Sequence, residues 1–140
     1  MVTSNSIIMP QTPRLQFQMW SGDNDPDYTV KEIFTPGPNG SVIYGINVTT
    51  NELTNDYVAF SVSYNDGVWG AKLFTETLVK LAGAYRPAVQ AIHNIRGCPI
   101  DEDGEPYLLL PSTMTLRAYV AGLTESPPRT LWVSVTGGDL

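Results

Sequence analysis

Apolar and polar residues alternate along most of this chain with a period of two. In "RLQFQMW" (14–20), Leu15, Phe17 and Met19 fall on one side and Gln16, Gln18 and Trp20 on the other. That is the pattern of a half-buried strand. With the apolar trio inward, Trp20 is expected to face out. "YTVKEIFT" (28–35) gives a second strand. "TPGPNGS" (35–41) is turn chemistry, with Gly and Asn able to take positive φ. "SVIYGINVT" (41–49) puts Val42, Tyr44, Ile46 and Val48 on one face, and "YVAFSVSY" (57–64) does the same for Val58, Phe60, Val62 and Tyr64.

The "NDG" at 65–67 predicts a hairpin. Residues 68–79 are therefore expected to pair with 57–64, although Leu73, Phe74, Leu78 and Leu81 also fit a helix face over 74–82. Pro87 argues against a helix through 82–89. Further strands are expected at 89–97, 107–112, 113–120 and 130–136. In the last two, Met114, Leu116, Ala118 and Val120, then Leu131, Val133 and Val135, face inward. Eight or nine short strands separated by turns predict an all-β fold, an antiparallel sandwich or a barrel. The polar start, with Pro10 and Pro13, reads as an extended N-terminal arm over 1–13 ahead of a single domain over 14–140. That arm is either a loose tail or a docking element anchored by Ile7, Ile8 and Met9.

Length and charge narrow the functional classes. A chain of 140 residues suits one domain with a proper core. The net charge is −6 and the eight basic residues are scattered, which disfavours nucleic acid as a partner. No stretch has the length of a membrane span, and "MVTSNSIIMPQTPR" is not a secretion signal. Cys98 is the single cysteine; it reads as a small hydrophobe, with no internal disulfide and no zinc set. The N-x-S/T matches at Asn39 and Asn47 are read as chance.

Candidate chemistry is sparse. "SGDNDPDY" (21–28) places Asp23, Asp25 and Asp27 where an EF-hand loop has its first oxygen ligands. That loop needs Gly at its sixth position and Glu at its twelfth; here stand Tyr28 and Phe34. "DEDGEP" (101–106) fails in the same way, with Pro106 in the glycine position. Both are read as wet turns, so no metal is expected. The lone histidine, His93, has no nucleophile at a familiar spacing, and no cofactor motif occurs. No catalytic residue and no enzyme activity are expected.

The outward positions carry more. Trp20, Tyr119 and Trp132 are expected on the surface, and Trp, Tyr and Arg are the residues enriched at interface hot spots. Ile7, Ile8, Met9, Trp20, Tyr119 and Trp132 are therefore the candidate partner-binding residues. Loops that cover the rings, or a sugar stacked on them, are the alternatives.

The order of pieces is also familiar. An arm ending "PQTPRL" is followed by "FTPGPNGSVIYGINV", the hairpin "NDGVWGAKLFTETLV", "LLLPSTMTLRAYV" and the terminal "LWVSVTGGDL". From about Gln11 onward this resembles small tailed-bacteriophage virion proteins of the capsid decoration (cement) type. Those share a "GANGS"-like turn, a "DG...RLF.E" hairpin, an "LP.G.SLRA" segment and a final "GGD". Two departures stand out. Ser112 and Thr113 replace the glycine after "LP", and the loop "GCPIDEDGEP" is longer and more acidic. The resemblance implies a jelly-roll-like β-sandwich on the capsid exterior, assembled in the bacterial cytoplasm. Its implied partners are the major capsid protein and further copies of itself, as a dimer or trimer. A tail or neck component is one alternative. A receptor- or carbohydrate-binding module, stacking sugar on Trp20, Trp69 or Trp132, is another.

Overall fold

The computed structural model describes residues 12–52, 57–65, 72–79, 89–90, 92 and 98–140. Among them the period-two segments form nine strands: β1 (Thr12–Ser21), β2 (Thr29–Phe34), β3 (Ser41–Thr50), β4 (Tyr57–Asn65), β5 (Lys72–Val79), β6 (Val89–Gln90), β7 (Leu108–Leu110), β8 (Thr115–Ala121) and β9 (Thr130–Asp139). All pairings are antiparallel. One sheet runs β1-β9-β3-β6, with β7 also pairing β3, and the other runs β2-β8-β4-β5. The arrangement is sandwich-like, with one core between the two sheets.

The core follows the alternation. Val58, Phe60 and Val62 of β4, Leu116, Ala118 and Val120 of β8, and Leu131, Val133 and Val135 of β9 are all buried in it. Met114 packs against its margin. β5 pairs with β4 over Tyr57–Ser63, so the strand alternative holds for 72–79 and the helix does not. Of the strand expected over 89–97, Val89–Gln90 forms β6, while His93 lies outside the described residues.

Two faces differ from the pattern. In β3 the register slips between Ile43 and Gly45. This bulge inserts a residue and flips the phase, so Ile43, Ile46 and Val48 enter the core while Tyr44 turns outward. The β1 strand is reversed throughout. Trp20 is 1% exposed, whereas Leu15, Phe17 and Met19 are 55%, 69% and 47% exposed. Trp20 is therefore a core residue and not a docking residue. Its ring meets Phe60 edge-on at 6.2 Å, and its Nε1 donates to Thr29 O at 2.8 Å.

The reversal has a physical cause. β1 and β2 are the outer strands of their sheets, so the inner side of β1 meets the backbone of β2 rather than a bed of aliphatic side chains. That backbone needs partners. Gln18 Nε2 donates to Glu32 O at 3.1 Å. Gln16 Oε1 accepts from Thr35 N at 3.1 Å, and Arg14 donates to Thr35 O at 3.1 Å. The polar residues are needed inside, which leaves the apolar trio outside.

Candidate docking surface

The reversal of β1 builds an apolar stripe. Leu15, Phe17 and Met19 line the outer face of the first sheet. Met19 stands opposite Trp132 of β9 in the register, and Trp132 is 40% exposed. Met19 and Trp132 thus form a cross-strand pair of the kind that stabilises sheets. At roughly 200 Å² for a large side chain, these exposures leave on the order of 450 Å² of apolar surface, in the range of the largest patch on a typical monomer and often functional.

Among the described residues, the edge beside the stripe is guarded at one end only. Gly22 N donates to Arg129 O at 2.8 Å, so even-numbered residues point their backbone groups at β9. Odd-numbered residues of β1 then point theirs at the open edge. At the far end those groups are engaged. Met19 N donates to Gln18 Oε1 at 3.1 Å, Lys31 Nζ donates to Met19 O at 2.8 Å, and Ser21 N donates to Asp25 Oδ2 at 2.8 Å. Nothing among the described residues does this for Leu15 or Phe17. Pro13 fits the same phase, since a proline within a strand belongs where its missing N–H faces the open edge.

A smaller patch lies on the other sheet. Tyr28 and Tyr119 meet edge-on at 5.4 Å, so Tyr119 is half-buried against a neighbour rather than free. Tyr28 has φ 70°, a left-handed conformation that a large side chain rarely takes. This is the position where the EF-hand pattern requires glycine, so the backbone makes the turn without one. The aspartates of that loop are spent on the chain itself. Asp23 accepts from Ser21 Oγ. Asp25 also pairs with Lys31 at 3.1 Å, and Asp27 accepts from Gly122 N at 3.0 Å. In the second acidic turn, Asp101 Oδ1 accepts from the backbone N–H of Asp103 and Glu105, both at 2.9 Å.

No local pattern signals that the 35–41 turn, Arg14 and the last residues meet. Arg14 donates to both carboxylate oxygens of Asp139 at 3.0 Å. Ser41 Oγ donates to Asp139 Oδ1 at 2.8 Å and accepts from Gly37 N at 2.9 Å. Leu140 N donates to Gly40 O at 3.1 Å. Burial works to raise the Asp139 pKa. The hydrogen bonds from Ser41 and Arg14, the Arg14 charge and the Gly37 N–H outweigh it and hold the carboxyl below its ordinary value. Gly137 completes the arrangement, because a Cβ there would lie 2.1 Å from Val42 O. Elsewhere, burial raises the Cys98 thiol pKa.

Of the expected partner-binding residues, then, Trp132 is on the surface, Tyr119 is half-covered and Trp20 is buried. Ile7, Ile8, Met9 and Trp69 lie outside the described residues. Leu15, Phe17 and Met19 were missed because alternation alone does not say which face is wet.

No family model matches the chain, and no curated protein matches it significantly. Two solved structures are similar in part. One is from the structure of infectious bursal disease virus Gx strain, at 10% identity and a TM-score of 0.35 over 91% of this chain. The chain spans 31% of that longer protein. The other is from Bacillus endospore appendages, described as a novel family of disulfide-linked pili, at 12% identity and a TM-score of 0.29. That match covers 93% of this chain and 96% of the other.

Proposed function

We propose that this protein is a structural virion component of the decoration (cement) type. In this reading it docks on the outside of a tailed-phage capsid, contacts the major capsid protein and stabilises the shell. The observation that carries the proposal is the stripe of Leu15, Phe17, Met19 and Trp132 on the outer face of an acidic β protein. An apolar patch of that size rimmed by polar residues fits a docking face. The role asks for a rigid scaffold and adhesion, and area removed from water supplies the energy. The resemblance of the turn and terminal motifs to phage virion proteins supports the same reading. The two antiparallel sheets, β1-β9-β3-β6 and β2-β8-β4-β5, support it as a sandwich-like scaffold, and we read that scaffold as a jelly roll, an architecture found in viral capsid proteins.

The test is the copy number in purified virions, measured by quantitative mass spectrometry against the major capsid protein. A number comparable to the capsid protein is expected. A handful of copies would point to tail or neck, and absence from the particle would overturn the virion reading. Within virions, Phe17→Ser with Trp132→Ser should release the protein from the capsid while lowering its own melting temperature by no more than about 3 °C, the scale of one lost cross-strand pair.

A further inference from the structure

One copy's stripe is too small for the task just proposed. A standard protein–protein interface takes roughly 800 Å² from each partner, and the stripe offers on the order of half of that. The open edge of β1 suggests how the area is made up. Natural edge strands are usually blunted by charge, bulges or covering segments. This one is blunted at Met19 and Ser21 by Lys31, Gln18 and Asp25, and among the described residues it is left bare at Leu15 and Phe17.

We propose that the bare edge pairs with the same edge of a second copy, joining two sheets into one and two stripes into a single docking face. This rests on the docking reading of the stripe, and names the partner that completes it.

The geometry fixes the register. A two-fold interface must be self-complementary. Two β1 strands meeting antiparallel with Phe17 opposite Phe17 would set Leu15 against Met19, whose N–H and C=O are already bonded to Gln18 and Lys31. Centring the axis on Leu15 avoids that conflict. Leu15 then exchanges both of its backbone bonds with Leu15 of the second copy. Each Phe17 N–H reaches the C=O of Pro13 across the axis. Pro13 has no N–H to offer, so the opposing Phe17 C=O stays with water. Side chains agree with the same register. Leu15 lies beside Leu15 and Phe17 beside Pro13 on the outer face, while Arg14 lies opposite Gln16 on the inner one, with no like charges facing. The joined stripes then approach 900 Å² on one face, about what a standard interface needs. Two linked copies also bind with avidity.

The test uses the full chain alone, without capsid, so its outcome is separate from the virion copy number. Sedimentation equilibrium of the wild type is expected to give a dimer. Leu15→Pro removes the edge-facing N–H, in the phase where Pro13 already sits, so the variant should be monomeric, with an unchanged far-UV circular dichroism spectrum and a melting temperature that no longer depends on protein concentration. Leu15→Glu sets two carboxylates directly opposite each other on the two-fold axis and should also give a monomer; it carries the test if Leu15→Pro does not fold. A wild type that stays monomeric at every concentration would overturn the proposal. So would a dimer that survives Leu15→Glu, since it must form through another surface. In the wild type, amide exchange at Leu15 and Phe17 should slow as protein concentration rises; exchange that ignores concentration counts against the edge.

Discussion

Replacing Trp20 by alanine and Phe17 by serine puts the orientation of β1 to a direct test. Both residues are aromatic, three positions apart on one strand, and sequence alternation ranks Phe17 as the core residue. The structure ranks them the other way. Trp20 is fully enclosed, edge-on to Phe60 at 6.2 Å, and its indole N–H is bonded to Thr29 O. Removing it deletes the largest side chain of the core among the described residues, for which truncation to alanine costs about 3–5 kcal/mol. For a domain of this size each kcal/mol moves the melting temperature by about 3 °C, so a fall of about 10–15 °C is expected. Phe17 is 69% exposed, and a surface change away from special features stays within about 0.5 kcal/mol. Thermal melts followed by circular dichroism, at one protein concentration because association would couple to stability, separate the two variants. A larger loss for Phe17→Ser than for Trp20→Ala would refute the reversed facing, and with it the docking stripe.

Three further outcomes follow from the same structure. Asp139→Asn should cost about 1.5–3 kcal/mol at neutral pH, the scale of hydrogen bonds to a charged group, read by urea unfolding. Because the folded Asp139 pKa is lowered, its contribution is present above the unfolded pKa and lost as pH falls through the folded one; the acid limb of the wild-type stability curve should flatten in the Asn variant. Tyr28→Gly relieves a left-handed backbone worth about 1–2 kcal/mol but loses a ring contact worth about 0.5–1.5 kcal/mol, so stability should barely move, whereas Tyr28→Val keeps the strain and should lose stability in the same assay. Gly137→Ala drives a Cβ to 2.1 Å from Val42 O and should cost about 1–3 kcal/mol as an overpacked site, seen as a lower urea midpoint.

What could be read in advance was the period, and what could not was the side. Val58, Phe60 and Val62, or Leu131, Val133 and Val135, lie on central strands whose inner faces pack into the shared hydrophobic core, so the apolar set is the buried set. On β1 that rule has no force, because the edge of the opposite sheet supplies carbonyls and an N–H that glutamines and an arginine satisfy. On β3 the bulge between Ile43 and Gly45 breaks a phase that looked unbroken from Val42 to Val48. Both failures are tertiary: they depend on which strand lies across the sandwich, a fact no local window contains. The stripe was hidden by the first of them, since the residues that form it were the ones expected to be buried.

The same limit explains why two turn-like stretches of the sequence read as punctuation. "PGPNGS" looks like a turn, and "GGD" like a loose end. In the fold they meet Arg14 at a single point. Ser41 and Gly37 bring the turn, Asp139 brings the last strand, and Arg14 brings the edge strand that carries the stripe. Each residue satisfies a polar group that another would otherwise leave half-buried and unmatched. Gly137 is glycine because Val42 O approaches where a side chain would be. This clasp fixes the start of β1 against β9 and β3, and so sets the position of Leu15 and Phe17 relative to Trp132. A docking face made of side chains from two strands needs that registration. The clasp and the stripe are therefore coupled: if the stripe docks as proposed, Arg14→Ala should lower the amount of protein that co-sediments with capsids, even though neither Arg14 nor Asp139 belongs to the apolar surface.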